Sequence, residues 1–109
     1  MTDAKVVKQL TIKTNVLKRL IKEVDYYVKE GEKQKASYTE LEAKDPSAYE
    51  LKKLDEVWKE TISMIPTIER KVRTARDDLK NYITANENEI KETGELQLAN
   101  EQLERATAF

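Results

Sequence analysis

The chain has 109 residues, which fits one domain with a modest core, and 38% of the residues are charged. Its 21 acidic residues nearly balance its 20 basic ones, so the composition does not show the basic domain that is typical of nucleic-acid binders. Cysteine and histidine are absent. The sequence therefore has no disulfide, no thiol nucleophile, and neither the usual general base nor the usual metal ligands.

Charge is distributed unevenly between the two ends of the chain. Residues 1–24 contain six basic and two acidic residues, whereas residues 85–109 contain six acidic and two basic ones. Either these ends attract each other within the fold, or the basic end is a patch for an acidic partner. There is no apolar run at the start and no stretch of about 18 apolar residues, so we expect a soluble cytosolic protein without a signal peptide or membrane span.

The first helix is predicted to begin at Thr14 or Asn15, both good N-cap residues, and to end near Lys44 (helix near 14–44). Residues 1–13 fit either a helix or a strand and are left open. From Leu17 on, spacings that alternate between three and four give a heptad seam. Its members are Leu17, Leu20, Val24, Tyr27, Gly31, Gln34, Tyr38 and Leu41. We interpret Gly31 as a place where another helix comes close.

A sharp turn follows, because Pro46 disfavours the helical region at Asp45. Asp45 could cap the next helix; alternatively Ser47 caps it, with Glu50 completing a capping box. The short connection predicts two antiparallel helices. The second helix, near 47–85, carries the strongest seam of the sequence. That seam is Leu51, Leu54, Trp58, Thr61, Ile65, Ile68, Val72, Ala75, Leu79 and Tyr82.

Pro66 lies inside this second helix, just beside the seam and towards the outer surface. The register continues past it without a slip, which predicts one helix kinked at Pro66. The alternative is two shorter helices that are split at this residue.

Residues 84–93 are polar and acidic and are predicted to be a loop or a frayed end. A third helix, near 93–107, is predicted with Thr93 or Asn88 as its cap. The sequence thus predicts an all-α fold in a single domain, 1–109: a three-helix bundle with a long antiparallel coiled-coil-like hairpin and a shorter third helix. The third helix is too short to cover the whole hairpin. The apolar residues predicted to lack that cover are Tyr38, Leu41, Leu51 and Leu54.

No catalytic constellation is present. Neither glycine has another nearby, as a phosphate-binding loop would require, and acidic pairs such as Asp77 and Asp78 fit a solvated helix surface. We therefore predict a protein that is not an enzyme and that has no cofactor or metal. Trp58 is interpreted as a core anchor, and Tyr26 is a candidate contact residue because it points away from the seam.

Several short strings in a fixed order carry a family resemblance. They are Ile12-Lys13-Thr14, Lys18-Arg19-Leu20, Lys22-Glu23, Asp45-Pro46, residues 49–53, Glu56-Val57, Met64-Ile65-Pro66, Arg70-Lys71 and Asp78-Leu79. In this order and at these distances, they resemble the tubulin-binding cofactor A family over residues 11–83. The second-helix motif departs from the family pattern at Leu54, Trp58 and Thr61. We interpret Trp58 and Thr61 as changes in packing, whereas Leu54 makes the seam more apolar near the turn. These departures leave the exact partner contacts open.

The resemblance implies a chaperone that captures β-tubulin released from the cytosolic chaperonin and holds it near-native before assembly with α-tubulin. It implies a cytoplasmic, cytoskeleton-associated protein that uses no nucleotide or metal and has other tubulin-folding cofactors as further partners. From the balanced charge and the apolar pattern, we expect no nucleic acid and no membrane as partners. Family members occur as monomers or a homodimer, so both states stay open. The alternative function is a structural coiled-coil module that only dimerises or tethers.

Outward charged residues that match the family motifs are the predicted contact residues for β-tubulin. They are Lys18, Arg19, Lys22, Lys52, Lys53 and Glu56. Tubulin is acidic, so a basic stripe on the first helix would speed the encounter. The alternative for each residue is an ordinary solvated charge.

Overall fold

The computed structural model describes residues 3–109, and these residues form helices and contain no strand. In chain order the elements are α1 (Ala4–Lys44), α2 (Glu50–Ala85), α3 (Glu87–Ile90), α4 (Gly94–Arg105) and a 3₁₀ turn (Ala106–Ala108). The predicted all-α class is confirmed, as are its two long helices and its shorter third one. The chain divides into two compact units, so its folding as a single domain over 1–109 stays a prediction.

The first helix begins at Ala4, well before the predicted start at Thr14 or Asn15. The Asp3 carboxylate accepts a hydrogen bond from the Lys5 backbone N–H at 2.8 Å and so supports the first turn. Thr14 is buried inside the helix and donates its hydroxyl to the Leu10 carbonyl at 2.8 Å. The prediction of Thr14 as an N-cap was wrong. A threonine hydroxyl can also donate to a carbonyl one turn earlier in its own helix, as Thr14 does here. Of the open segment 1–13, Met1 and Thr2 lie outside the described residues.

The turn between α1 and α2 is organised by Asp45. Its carboxylate accepts hydrogen bonds from the backbone N–H of Ser47 at 3.2 Å and from the Ser47 hydroxyl at 2.9 Å. The Ala48 N–H donates to the Asp45 carbonyl at 3.0 Å. Both predicted caps, Asp45 and Ser47, therefore stabilise a turn, and α2 begins only at Glu50.

The second helix is continuous through Pro66. Proline lacks an N–H, so the carbonyl of Ile62 loses its helical donor at this point. Pro66 is exposed, as the register predicted, so water can satisfy that carbonyl. The alternative of two shorter helices split at Pro66 is therefore wrong, because a single helix passes through this residue. The predicted kink stays a prediction.

The three-helix unit consists of the described residues up to Lys22 together with Glu69–Phe109. Its largest fully buried side chains are Leu10, Leu17, Val72, Leu79 and Ile90. Two contacts fix the antiparallel pairing of α1 with α2 in this unit. The Tyr82 hydroxyl donates to the Val6 carbonyl at 3.0 Å, and the Lys13 ammonium pairs with Asp78 at 2.8 Å.

Residues 84–93 are more ordered than the predicted loop or frayed end. They contain α3, and Ile90 at its end is fully buried. The Thr93 hydroxyl donates to the Ile90 carbonyl at 2.7 Å and accepts from the Leu96 N–H at 3.3 Å. Thr93, one of the two predicted caps, is therefore the N-cap of α4.

The hairpin unit, Glu23–Ile68, is built from the second part of α1, the turn and the first part of α2. Four apolar residues were predicted to have no third helix packed on them, and all four are only half-buried: Tyr38, Leu41, Leu51 and Leu54. Gly31 is buried, and a Cβ added there would lie 3.1 Å from the Ile62 Cγ2 atom. This close approach between α1 and α2 agrees with the interpretation of Gly31 as a contact glycine.

A leucine at Gly31 is expected to lower the free energy of unfolding by about 1–3 kcal/mol, because its side chain would have to displace Ile62. The matched control is Gly94→Leu: an added Cβ there meets no other atom within 4 Å. Urea denaturation of both variants measures the difference. Equal stability of the two variants would contradict the close packing at Gly31.

Candidate functional site

Three of the predicted contact residues form what we call the basic surface: Lys18, Arg19 and Lys22. All three are exposed on α1 in the three-helix unit. Their neighbours Leu17 and Leu20 are buried, because the seam turns the apolar positions inward and leaves the charged ones outside. In this unit basic residues outnumber acidic ones. The arrangement suits electrostatic attraction of an acidic surface.

The other three predicted residues form the mixed surface: Lys52, Lys53 and Glu56. They are exposed on α2 in the hairpin unit, where acidic residues outnumber basic ones. The i,i+4 ion pair near this surface joins Lys59 to Asp55 at 2.7 Å. The Asp55 carboxylate accepts a hydrogen bond from Lys59 and raises the pKa of that lysine.

Trp58 lies in the hairpin unit and is half-buried, so part of its ring faces solvent. The Lys35 ammonium lies 4.7 Å from the centroid of the Trp58 ring and 5.5 Å from that of Tyr38. These are cation–π distances. The sequence interpretation of Trp58 as a core anchor did not include Lys35. Helical spacing shows which residues share a face of one helix, but not which lysine crosses to the other helix.

An apolar groove runs beside Trp58 on the hairpin unit, with a volume of about 390 Å³. We call it the Trp58 groove, and its apolar lining is Val28, Gly31, Trp58, Ile62 and Ile65. Tyr26, the predicted contact residue in the same unit, is 60% exposed and packs edge to face on Tyr27 with ring centroids 5.4 Å apart.

A polar cleft separates α1 from α4 in the three-helix unit, with a volume of about 110 Å³. Lys18 of the basic surface contributes to its wall, so this lysine faces both the outer surface and the cleft. The opposite wall, on α4, includes Glu95, Glu101 and the buried Gln102. The sequence pattern does not indicate these three residues, because acidic residues and a glutamine have no distinct signal in a charged helix.

The residues that the structure describes contain no group of three or more acidic, histidine or cysteine side chains that could hold a metal ion. None of the helices described is both long enough and apolar enough to cross a membrane. The features of the site are thus exposed charges, an apolar groove and a polar cleft.

Comparisons with known proteins cover almost the whole chain. Residues 5–103 match the sequence profile of a family described as tubulin binding cofactor A. The chain is 38% identical to the human tubulin-specific chaperone A over 89 residues, which is 82% of each chain. It is 41% identical to tubulin-specific chaperone A of Saccharomyces cerevisiae over 76 residues, 69% of this chain and 72% of the yeast protein.

A solved structure is similar as well. The crystal structure of tubulin folding cofactor A from Arabidopsis thaliana superposes with a TM-score of 0.88 at 29% identity. The match covers 98% of this chain and 100% of the plant protein. The similarity therefore extends beyond the long helices to the acidic C-terminal part of the chain.

Proposed function

The chain belongs to the tubulin binding cofactor A family, and from this premise we propose that it is a tubulin-folding chaperone that holds near-native β-tubulin. In this proposal it receives β-tubulin from the cytosolic chaperonin and keeps it until assembly with α-tubulin. The observation that carries the proposal is the family match over residues 5–103, together with the names of the relatives.

The basic surface supports an acidic client such as tubulin. Lys18, Arg19 and Lys22 are spaced by one and three residues along α1, so they lie within about one helical turn. Exposed charges of one sign accelerate the encounter with an oppositely charged protein. They contribute modestly to the final affinity, which suits a chaperone that must release its client.

The mixed surface is proposed as a second contact. Lys53 and Glu56, like Lys52 and Glu56, have spacings that bring side chains together on one helix face. Such a face pairs with a client region that carries both signs of charge. Its contribution is measured separately from that of the basic surface, by reversing Lys52 and Lys53 alone.

We propose that the protein acts by binding and not by catalysis, which agrees with a sequence that has no histidine or cysteine. The proposed place of work is the cytoplasm, in association with the cytoskeleton. Other tubulin-folding cofactors are proposed as partners that take over the client. The free protein is proposed to be a monomer or a homodimer.

Capture of β-tubulin tests the proposal. The purified protein, added at micromolar concentration to a chaperonin folding reaction, is expected to comigrate with newly released β-tubulin on native gels. Newly released α-tubulin at the same concentration is the control, and we expect much less capture of it. Failure to retain β-tubulin would contradict the chaperone role.

The alternative, a structural module that only dimerises, is distinguished by sedimentation equilibrium of the free protein. The half-buried seam residues of the hairpin unit, such as Leu51 and Leu54, are the observation that keeps this alternative open. A stable dimer without any β-tubulin binding would favour it over the chaperone role.

A further inference from the structure

Two residues of α4 that line the same cleft each carry a buried side-chain oxygen without a hydrogen-bond partner. Gln102 is only 7% exposed, and its side-chain Oε1 has no partner. The Oε2 atom of Glu95 is also buried without a partner. Both residues line the polar cleft between α1 and α4. A buried acceptor without a donor is unfavourable, so the cleft is suited to a group that brings donors.

The charge of the cleft favours a cation. Glu95 and Glu101 contribute two carboxylates, and Lys18 is the basic residue of the lining. Among the described residues, no ion pair joins Lys18 to either glutamate, and Lys18 itself is exposed. The volume of about 110 Å³ holds several water molecules or one long side chain.

The middle of the cleft wall is apolar. Leu98 lines the cleft between Glu95 and Gln102 and is 56% exposed. Glu95 and Gln102 are about two helical turns apart, roughly 10 Å along the axis. A suitable occupant therefore has an aliphatic stem for Leu98 and hydrogen-bond donors at both of its ends. Water molecules alone supply donors but no apolar stem.

We propose that this cleft receives an arginine side chain of a partner protein. The guanidinium carries five N–H donors and a fixed positive charge, and the backbone N–H of the same residue supplies a donor at the other end. The methylene stem lies over Leu98, as long cationic side chains commonly do on apolar surface. The proposal concerns the recognised chemical group and holds whether or not the partner is tubulin.

Nuclear magnetic resonance of the labelled full chain tests the proposal, with N-acetyl-argininamide as the probe. We expect saturable shifts of the Gln102 side-chain amide and the Leu98 methyl groups. N-acetyl-citrullinamide has nearly the same shape without the charge, and methylguanidinium has the head group without the stem. Both are expected to bind several-fold more weakly than the arginine probe.

Substitutions on α4 identify the acceptors. Glu95→Gln is expected to weaken binding of N-acetyl-argininamide roughly tenfold, because a charge-assisted hydrogen bond is lost. Glu104→Gln removes the same charge from an exposed position of α4 outside the cleft and is expected to leave binding unchanged. Leu98→Ala should reduce binding towards that of methylguanidinium, and far-ultraviolet circular dichroism checks that each variant is folded.

Three results would overturn the proposal. The first is the absence of shifts at any soluble probe concentration, which would mean that the cleft holds water only. The second is citrullinamide binding as tight as that of the arginine probe. The third is an equal loss of binding for Glu95→Gln and Glu104→Gln, which would reduce the effect to the net charge of α4.

Discussion

Replacing Leu79 with alanine is expected to lower the free energy of unfolding by about 3 kcal/mol, the largest single effect on stability that we predict. Leu79 is fully buried in the three-helix unit, and Leu10 and Leu17 of α1 are fully buried in the same unit. The substitution removes the transfer free energy of several buried carbons and leaves a cavity that rigid helices fill only partly.

Urea denaturation followed by circular dichroism measures this loss. The control is Lys80→Ala, because Lys80 is the next residue on α2 and is exposed; we expect a change within about 0.5 kcal/mol. Leu51→Ala, at a half-buried seam position of the hairpin unit, should have an intermediate effect of roughly half that at Leu79. A loss at Leu79 no larger than that at Lys80 would contradict the core described here.

Seam periodicity predicted burial well because it depends only on helix geometry. Every position of the second predicted seam is buried or half-buried, from Leu51 to Tyr82. The same holds for the first seam, from Leu17 to Leu41. Spacings of three and four select one face of a helix whatever the neighbouring helix is, so the sequence alone is enough to assign that face.

Helix ends were predicted less well because the same polar residues serve several roles. Thr14 looked like a cap but bonds to the Leu10 carbonyl inside α1. Asp45 and Ser47 were predicted to cap α2, but they stabilise the connection between α1 and α2. Thr93, in contrast, is the N-cap of α4. A local sequence pattern does not say which competing hydrogen bond a hydroxyl or carboxylate will make.

Contacts between segments that are distant in the sequence could not be predicted from the sequence pattern. Ile90 is a single apolar residue in an acidic stretch, and only the fold shows that it is fully buried. The position of Lys35 over the Trp58 ring depends on the register of α1 against α2. Exposure of the six predicted contact residues, in contrast, followed from the seams.

Charge reversal of the whole basic surface is expected to have the largest effect on client binding. In the variant with Lys18→Glu, Arg19→Glu and Lys22→Glu, the association rate with β-tubulin should fall about tenfold to a hundredfold at low salt. The physical reason is that an attractive patch becomes repulsive towards an acidic client. Because salt screens exposed charges, the difference from the unmodified protein should shrink as ionic strength rises.

The matched control reverses the same number of charges elsewhere, at Lys33, Lys80 and Lys91, which are all exposed. Both variants have the same net charge, so a general repulsion from tubulin would slow them equally. Stopped-flow association at several salt concentrations separates the two cases, after thermal melts have shown that both variants are folded. If the variants were slowed to the same extent, the basic surface would be an ordinary solvated stretch of helix, and the contact with tubulin would have to lie elsewhere on the chain.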